Sequence, residues 1–283
     1  LSLEYTLNVR PLDSSDASLT AMLNQAQVSA VDSAGTTVSD LTDFGTDPYD
    51  TNTGYDIAST QGYDDPTPVV LNAVSSAKSV TNIVNNGNGT FDVTYVIELL
   101  NVGNTLLDHF VLVDTPNADL QSAIVDRASP GIILNDNLED PTIGAHPNLF
   151  NGRGDLAPGQ KMQVQYVLTL RPADSTNPTN MLNQAEITNE VLLDGGTVVV
   201  NVSDLSDSGT DASVNNAGAP NDTGGFDDPT PVRLVDLDLQ KESGFFADTS
   251  NGLEYAGFFR YTLKNNGSDP LSNLSLADDF LGS

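Results

Sequence analysis

The chain has 283 residues, enough for two domains of ordinary size with cores of their own. It carries 39 acidic against 10 basic side chains, a formal net charge of -29, which excludes a nucleic-acid partner held by clustered cations and disfavours an anionic membrane surface. Cysteine is absent, ruling out disulfides and thiol chemistry, and no apolar run reaches the ~18 residues of a membrane-spanning helix.

Leu1-Ser2-Leu3-Glu4-Tyr5 does not read as a signal peptide, so an export signal is expected outside this sequence. Helical periodicity is nearly absent, and only residues 17–26 and 118–127 have the pattern of a helical turn or two. Short runs of Val, Leu, Ile and Thr between turn residues predict strands instead. Thr90 to Leu99 alternates as a strand with one buried face, Asn101 to Asn104 turns, and Asp108 to Val113 returns as the second arm of a hairpin. Residues 115–157 form an irregular segment rich in Asn, Pro and Gly. Ala157-Pro158-Gly159-Gln160 then turns into Met162 to Arg171, followed by strands at Leu182 to Val191 and Thr197 to Val202. About seven short antiparallel strands at this spacing predict an all-β chain of immunoglobulin-like antiparallel β-sandwich modules, with Tyr95, Val164, Tyr166, Leu168 and Ile187 facing the core.

The chain repeats itself. Asp64-Asp65-Pro66-Thr67-Pro68-Val69 returns as Asp227-Asp228-Pro229-Thr230-Pro231-Val232, an offset of 163. Ser39-Asp40-Leu41-Thr42-Asp43 returns as Ser203-Asp204-Leu205-Ser206-Asp207 after 164 positions, and Met22-Leu23-Asn24-Gln25-Ala26 as Met181-Leu182-Asn183-Gln184-Ala185 after 159. Leu99-Leu100-Asn101-Val102-Gly103 matches Leu263-Lys264-Asn265-Asn266-Gly267, and Leu112-Val113-Asp114 matches Leu276-Ala277-Asp278. A fixed period means copies of one unit. We read residues 1–71 as the C-terminal half of a repeat module, 72–234 as a complete sandwich repeat with an acidic loop, and 235–283 as the N-terminal half of a further module.

Four pieces recur in fixed order: a Tyr strand ending in Asn-x-Gly-Asn (Tyr95 to Asn104), a Val-Leu-Val-Asp strand end (Val111 to Asp114), Leu-Ala-Pro-Gly-Gln before a Tyr strand (Leu156 to Tyr166), and Asn-Gln-Ala (Asn183 to Ala185). In this combination the chain resembles the bacterial surface repeat family catalogued as "domain of unknown function eleven", and more distantly the B-type repeats of serine-aspartate adhesins. The resemblance implies an immunoglobulin-like module serving as stalk or spacer in large exported proteins, with no catalytic residues to carry over. The segment 115–157 is longer than a minimal module needs.

Two loops concentrate the negative charge. Residues 40–65 hold Asp40, Asp43, Asp47, Asp64 and Asp65 among others, and residues 204–228 hold Asp204, Asp207, Asp211, Asp227 and Asp228, with no Lys or Arg in either stretch. Calcium takes about 6–8 oxygen ligands in irregular geometry, so these aspartates are the expected ligands of a calcium ion at each loop. The EF-hand pattern is missing. Pro66, Pro68, Pro229 and Pro231 would stiffen the exit toward the next module, and a bound ion would fix the angle between modules.

The two histidines, His109 and His146, lie in different contexts and are expected on the surface. Asp pairs duplicated in successive loops read as ion ligands rather than as a glycosidase pair, so no catalytic residue is predicted and the chain is not expected to be an enzyme. Lys78 and Lys241 occupy equivalent first-strand positions, and Asn24 and Asn183 equivalent late-strand ones, a pairing that would suit a Lys–Asn isopeptide crosslink as in some surface adhesins. The acid for that reaction has no repeated candidate, because Glu98 aligns with Thr262, and ordinary polar roles are expected. Sequons at Asn88, Asn201, Asn221, Asn266 and Asn273 permit glycan attachment outside the cell.

These readings converge on a structural repeat of a secreted bacterial extracellular filament or surface stalk, calcium-stiffened and assembling head-to-tail with neighbouring copies, by tandem continuation or strand complementation. The competing readings are an adhesin binding glycans through residues 115–157 and a hydrolase accessory module.

Overall fold

The computed structural model describes residues 3–7, 23–42, 67–69, 71–135, 139–193, 197–213, 227–244, 247–248 and 255–278, and the architecture below concerns those residues. Two sheets face each other between Val74 and Pro231, as the sequence predicts for an all-β sandwich. In the first, the strand Val74–Asn85 pairs with Phe91–Asn101, which pairs with Lys161–Leu170. Gly131–Asn135 and Ile124–Arg127 share the far edge of Lys161–Leu170, and the short strand Asp207–Ser208 adds in parallel beside Ala77 and Lys78. In the second sheet Leu107–Pro116 lies at the centre, flanked by Asn148–Asn151 and Leu182–Leu193, with Ile143–Ala145 and Thr197–Leu205 outside them. Asp155–Leu156 and Thr230–Pro231 complete it.

The core follows from a period of two. Phe91, Val93, Tyr95, Ile97 and Leu99 point inward from one strand, and Met162, Val164, Tyr166, Leu168 and Leu170 from its neighbour, all buried. Leu107, Phe110 and Leu112 meet them from the second sheet, with Ala185 and Ile187 alongside. Each large side chain taken fully from water stabilises the sandwich by about 1.5–3 kcal/mol, so the facing strands supply the main favourable term. All five core residues expected from alternation are buried here.

Segment 115–157 is built into the sandwich. Asn117 caps a short helix, Ala118–Ala123, by accepting from Leu120 N–H, and Leu120 and Ala123 are buried beneath it. The rest of the segment supplies the short edge strands of both sheets.

Two glycines set how neighbouring units join. A Cβ on Gly103 would lie 2.3 Å from Leu71 O and 2.8 Å from Ala73 N, so only glycine lets the incoming chain cross the turn there. Gly267 meets Leu234 O and Asp236 N at the same 2.3 and 2.8 Å. Asn104 clamps the first crossing by accepting from Leu71 N–H at 2.7 Å and donating to Val69 O at 2.6 Å. Ser268 does so at the second, its hydroxyl accepting from Leu234 N–H at 2.6 Å. The chain arrives beside Gly103 and leaves beside Met181, whose carbonyl accepts from Val232 N–H, at opposite ends of the strands.

Outside the complete copy, Leu23–Asn24 pairs with Thr67–Pro68 as Leu182–Asn183 pairs with Thr230–Pro231. Leu237–Ser243 pairs with Phe259–Asn265, placing Lys241 opposite Tyr261 as Lys78 stands opposite Ile97. The duplicated sequences therefore carry duplicated strand registers. Among the described residues no helix is long and apolar enough to cross a membrane.

Candidate functional site

The inward register of five strands carries polar side chains at one level of the core. Lys78, Tyr95 and Tyr166 enter from the first sheet, and Asp114 and Asn183 from the second. Lys78 is in phase with Val74 and Ser76, Asp114 with Phe110 and Leu112, and Asn183 with Ala185 and Ile187. Alternation thus forces a lysine, a carboxylate and an amide into the hydrocarbon interior. The side chains of Lys78 and Asp114 are 0% exposed.

Lys78 Nζ bonds Asp114 Oδ1 across the gap between the sheets. The other oxygen, Oδ2, meets His146 Nε2 at 2.6 Å and accepts from Asn183 Nδ2 at 3.2 Å. Asn183 Nδ2 also reaches the Tyr166 hydroxyl at 3.2 Å, while its carbonyl oxygen has no hydrogen-bond partner. Leaving a buried acceptor orphaned costs about 1–3 kcal/mol. His146, 1% exposed, is no surface histidine as the sequence reading expected; it arrives from segment 115–157. Arg127 Nε donates to His146 Nδ1 at 3.0 Å, so the ring carries its proton on Nε2 and donates it to Asp114.

Burial pulls the Lys78 ammonium down to about 8, against the opposing pull of Asp114. At pH 7 roughly a tenth of such an amine is neutral, against less than roughly a thousandth for an exposed lysine. Burial alone would raise Asp114, but the Lys78 charge and the hydrogen bonds from His146 and Lys78 outweigh it and hold the carboxyl below its ordinary range. Asp114 is therefore a carboxylate and a poor electrophile, whereas the neutral amide of Asn183 is open to attack. A desolvated amine, a proton carrier touching both nitrogens and an amide carbon complete the parts list for forming an amide between side chains.

A carboxylate does stand between Lys78 and Asn183, that of Asp114. Its signal was present in the match of Leu112-Val113-Asp114 with Leu276-Ala277-Asp278. Glu98, the residue weighed for that role, accepts from Lys161 Nζ at 2.8 Å, Gln163 Nε2 at 2.6 Å and Ala212 N–H at 3.1 Å, away from Lys78.

Of the expected calcium ligands, Asp204, Asp207 and Asp227 lie close enough for the charges of the last two to act on the first. Asp43, Asp47, Asp64 and Asp65 lie outside the described residues, and Asp40 is an exposed residue next to the end of the strand Thr37–Leu41. Asp204 Oδ2 accepts from Ser76 N–H and Oγ, both at 2.7 Å. Asp207 Oδ1 accepts from Asp227 N–H at 2.6 Å, Asp211 Oδ1 accepts from Lys161 Nζ at 3.2 Å, and Asp228 follows Asp227 in the approach to Thr230–Pro231. Among the described residues no group of three or more His, Asp or Glu side chains is placed to hold a metal ion. Of the sequons, Asn88 and Asn273 are exposed and Asn201 lies on Thr197–Leu205. Asn221 is outside the described residues, and Asn266 is buried, donating to Asp238 at 2.5 Å.

No protein-family model matches the chain, and no curated protein matches it. Among solved structures it is similar to the full-length major pilin RrgB of Streptococcus pneumoniae, at 10% identity and a TM-score of 0.26, over 87% of this chain. The chain spans 52% of that pilin's length.

Proposed function

We propose that this chain is a structural repeat of an extracellular filament or surface stalk whose sandwich is locked by an isopeptide bond between Lys78 and Asn183. The observation that carries the reading is Asp114, buried between the two sheets with one oxygen on Lys78 Nζ and the other on Asn183 Nδ2. The repeat architecture and the two glycine-clamped crossings support a load-bearing series of modules.

The reaction needs no cofactor. The neutral amine of Lys78 attacks Asn183 Cγ and, as the Nζ–Cγ bond forms a tetrahedral carbon, passes one of its two protons to Asp114. Asp114 returns that proton to Nδ2, the Cγ–Nδ2 bond breaks, and ammonia leaves. The products are one amide and one ammonia, with no change of oxidation state. His146 and the Tyr95–Tyr166 pair position the carboxylate and keep water out. The new bond would tie the strand Val74–Asn85 of one sheet to Leu182–Leu193 of the other, so pulling the sandwich open would require breaking a covalent bond.

Mass spectrometry of the purified chain tests this. The expected result is a mass one ammonia lower per bond and a branched peptide joining the Lys78 and Asn183 segments after digestion. A full-mass chain with both side chains free overturns the reading, and a mass one water lower moves the bond to Lys78 and Asp114.

A further inference from the structure

Two buried atoms around the Lys78–Asn183 pair have nothing to bond. The Tyr95 hydroxyl and the Asn183 carbonyl oxygen Oδ1 are both sealed from water, and neither has a hydrogen-bond partner. One is a donor, the other an acceptor, and each is destabilising where it stands idle.

Both belong to one level of the core. Tyr95 and Tyr166 are directly paired on adjacent strands with their rings stacked, so the two hydroxyls advance side by side toward the second sheet. The Tyr166 hydroxyl meets Asn183 Nδ2 at 3.2 Å, and the Tyr95 hydroxyl lies near enough to feel the same amide without bonding it. Lys78 Nζ is held 5.0 Å from the Tyr95 ring centre, which sets the attacking amine beside that ring.

The neighbouring donors are committed. Asn183 Nδ2 serves Asp114 Oδ2 and the Tyr166 hydroxyl, and His146 Nε2 serves Asp114 Oδ2. The amide of Asn189 is also buried and unpartnered, but it stands six positions along the same strand, about 20 Å away. Among the described residues of this cluster, Tyr95 is the donor with a proton still to offer.

Amide exchange creates the acceptor that this hydroxyl lacks. As Nζ–Cγ forms, the π electrons of the Cγ–Oδ1 bond move onto Oδ1, the carbon becomes tetrahedral, and Oδ1 leaves the amide plane carrying negative charge. A hydrogen bond absent from the ground state and made to that developing charge lowers the barrier without first stabilising the reactant.

We infer that the Tyr95 hydroxyl is the oxyanion donor of the Lys78–Asn183 reaction, a catalytic residue in its own right. Its proton stays on the phenol oxygen throughout. The proton from Nζ travels through Asp114 to the departing Nδ2, the Cγ–Oδ1 double bond reforms, Cγ–Nδ2 breaks, and ammonia leaves. This inference rests on the proposed Lys78–Asn183 bond and adds the group that stabilises its transition state.

The test uses the full chain, prepared as insoluble material and dissolved in denaturant so that no bond has formed. Folding is started by dilution, samples are quenched at intervals, and intact-mass spectrometry follows the loss of ammonia. Tyr95→Phe keeps the ring and removes only the oxygen; bond formation should slow by about 10²–10³-fold while the folding rate, read by circular dichroism, is kept. In the Asp114→Asn background, which should not crosslink, Tyr95→Phe should unfold at the same or a higher denaturant concentration because it loses no ground-state bond. Tyr166→Phe, which does lose one, should unfold sooner there. An unchanged rate in Tyr95→Phe, in a chain that still forms the Lys78–Asn183 bond, overturns the oxyanion role alone, as does a lowered unfolding midpoint for Tyr95→Phe in that background. A parent chain that never loses ammonia overturns the reading beneath it.

Discussion

Tyr95 and Tyr166 occupy directly paired positions of adjacent strands, their rings stacked 5.2 Å apart and 12° from parallel. Lys78 Nζ lies 5.0 Å from the first ring centre and 5.6 Å from the second. The cation meets aromatic surface on one side and a carboxylate on the other, and a desolvated cation–π contact contributes up to about 2 kcal/mol. Burial first, then the negative charge of Asp114, pushes both phenols well above their ordinary range, so they remain neutral.

Replacing the proton carrier should separate folding from crosslinking. Asp114→Asn preserves the side-chain volume but cannot shuttle the proton, so the chain should keep its full mass. A crosslink between positions 78 and 183 closes a loop of about 100 residues, for which chain-entropy reasoning gives about 4–5 kcal/mol of stabilisation. Denaturant unfolding of the variant should fall short of the parent by at least that amount, since Lys78 also loses its counter-charge. Equal unfolding midpoints would contradict the prediction.

His146 should matter most under acid. Asp114 has a lowered folded-state value, so its contribution is present above the ordinary 3.8 and is lost as pH falls through the folded value. His146→Phe removes a charge-assisted hydrogen bond of about 1.5–3 kcal/mol and should let that loss begin at higher pH. Melting curves across acid pH, in an Asn183→Ala background where Lys78 keeps its charge, measure the displacement.

Asp204 should show the opposite sign. Burial, with Asp207 and Asp227 adding like charge, raises it from 3.8 to about 6 despite two hydrogen bonds from Ser76. Its contribution is therefore fully present below 3.8 and is lost as pH rises through about 6. Asp204→Asn keeps an acceptor for Ser76 and should flatten this dependence, gaining about 1–3 kcal/mol at neutral pH after allowance for partial exposure. Stability measured at pH 4 and pH 7 in parent and variant decides it.

Gly103→Val should disrupt the crossing of the incoming chain. The added carbon meets backbone atoms of Leu71 and Ala73, which cannot rotate away as a side chain can. A cost of about 1–3 kcal/mol is expected, concentrated at the junction. Limited proteolysis should cut near residues 69–73 in the variant while leaving the core strands intact, and Gly267→Val should transfer the effect to Leu234.

Much of the fold was legible because its signals are local. Phe91 to Leu99 and Met162 to Leu170 alternate without interruption, so the period of two announces both the strands and the face each buries. The repeat was equally plain, because identical runs such as Asp-Asp-Pro-Thr-Pro need no structural context. The short strands within segment 115–157 escaped notice, since two to five residues cannot establish a period and only pairing to a neighbour makes them strands.

By itself, then, the order of residues determined an all-β repeat and marked Lys78 and Asn183 as positions repeated in other copies, while the burial of both and of Asp114 came with the folded strands. Only the tertiary structure decided that these three meet, because strand pairing and the closure of one sheet on the other set their distance, and neither is encoded within any single strand. His146 shows this most clearly: it lies 32 positions from Asp114, and a 2.6 Å contact brings it from the irregular segment into the core. The acidic loops divide in the same way. Their composition predicts calcium ligands, while only packing decided that Asp204 accepts from Ser76 and Asp211 from Lys161.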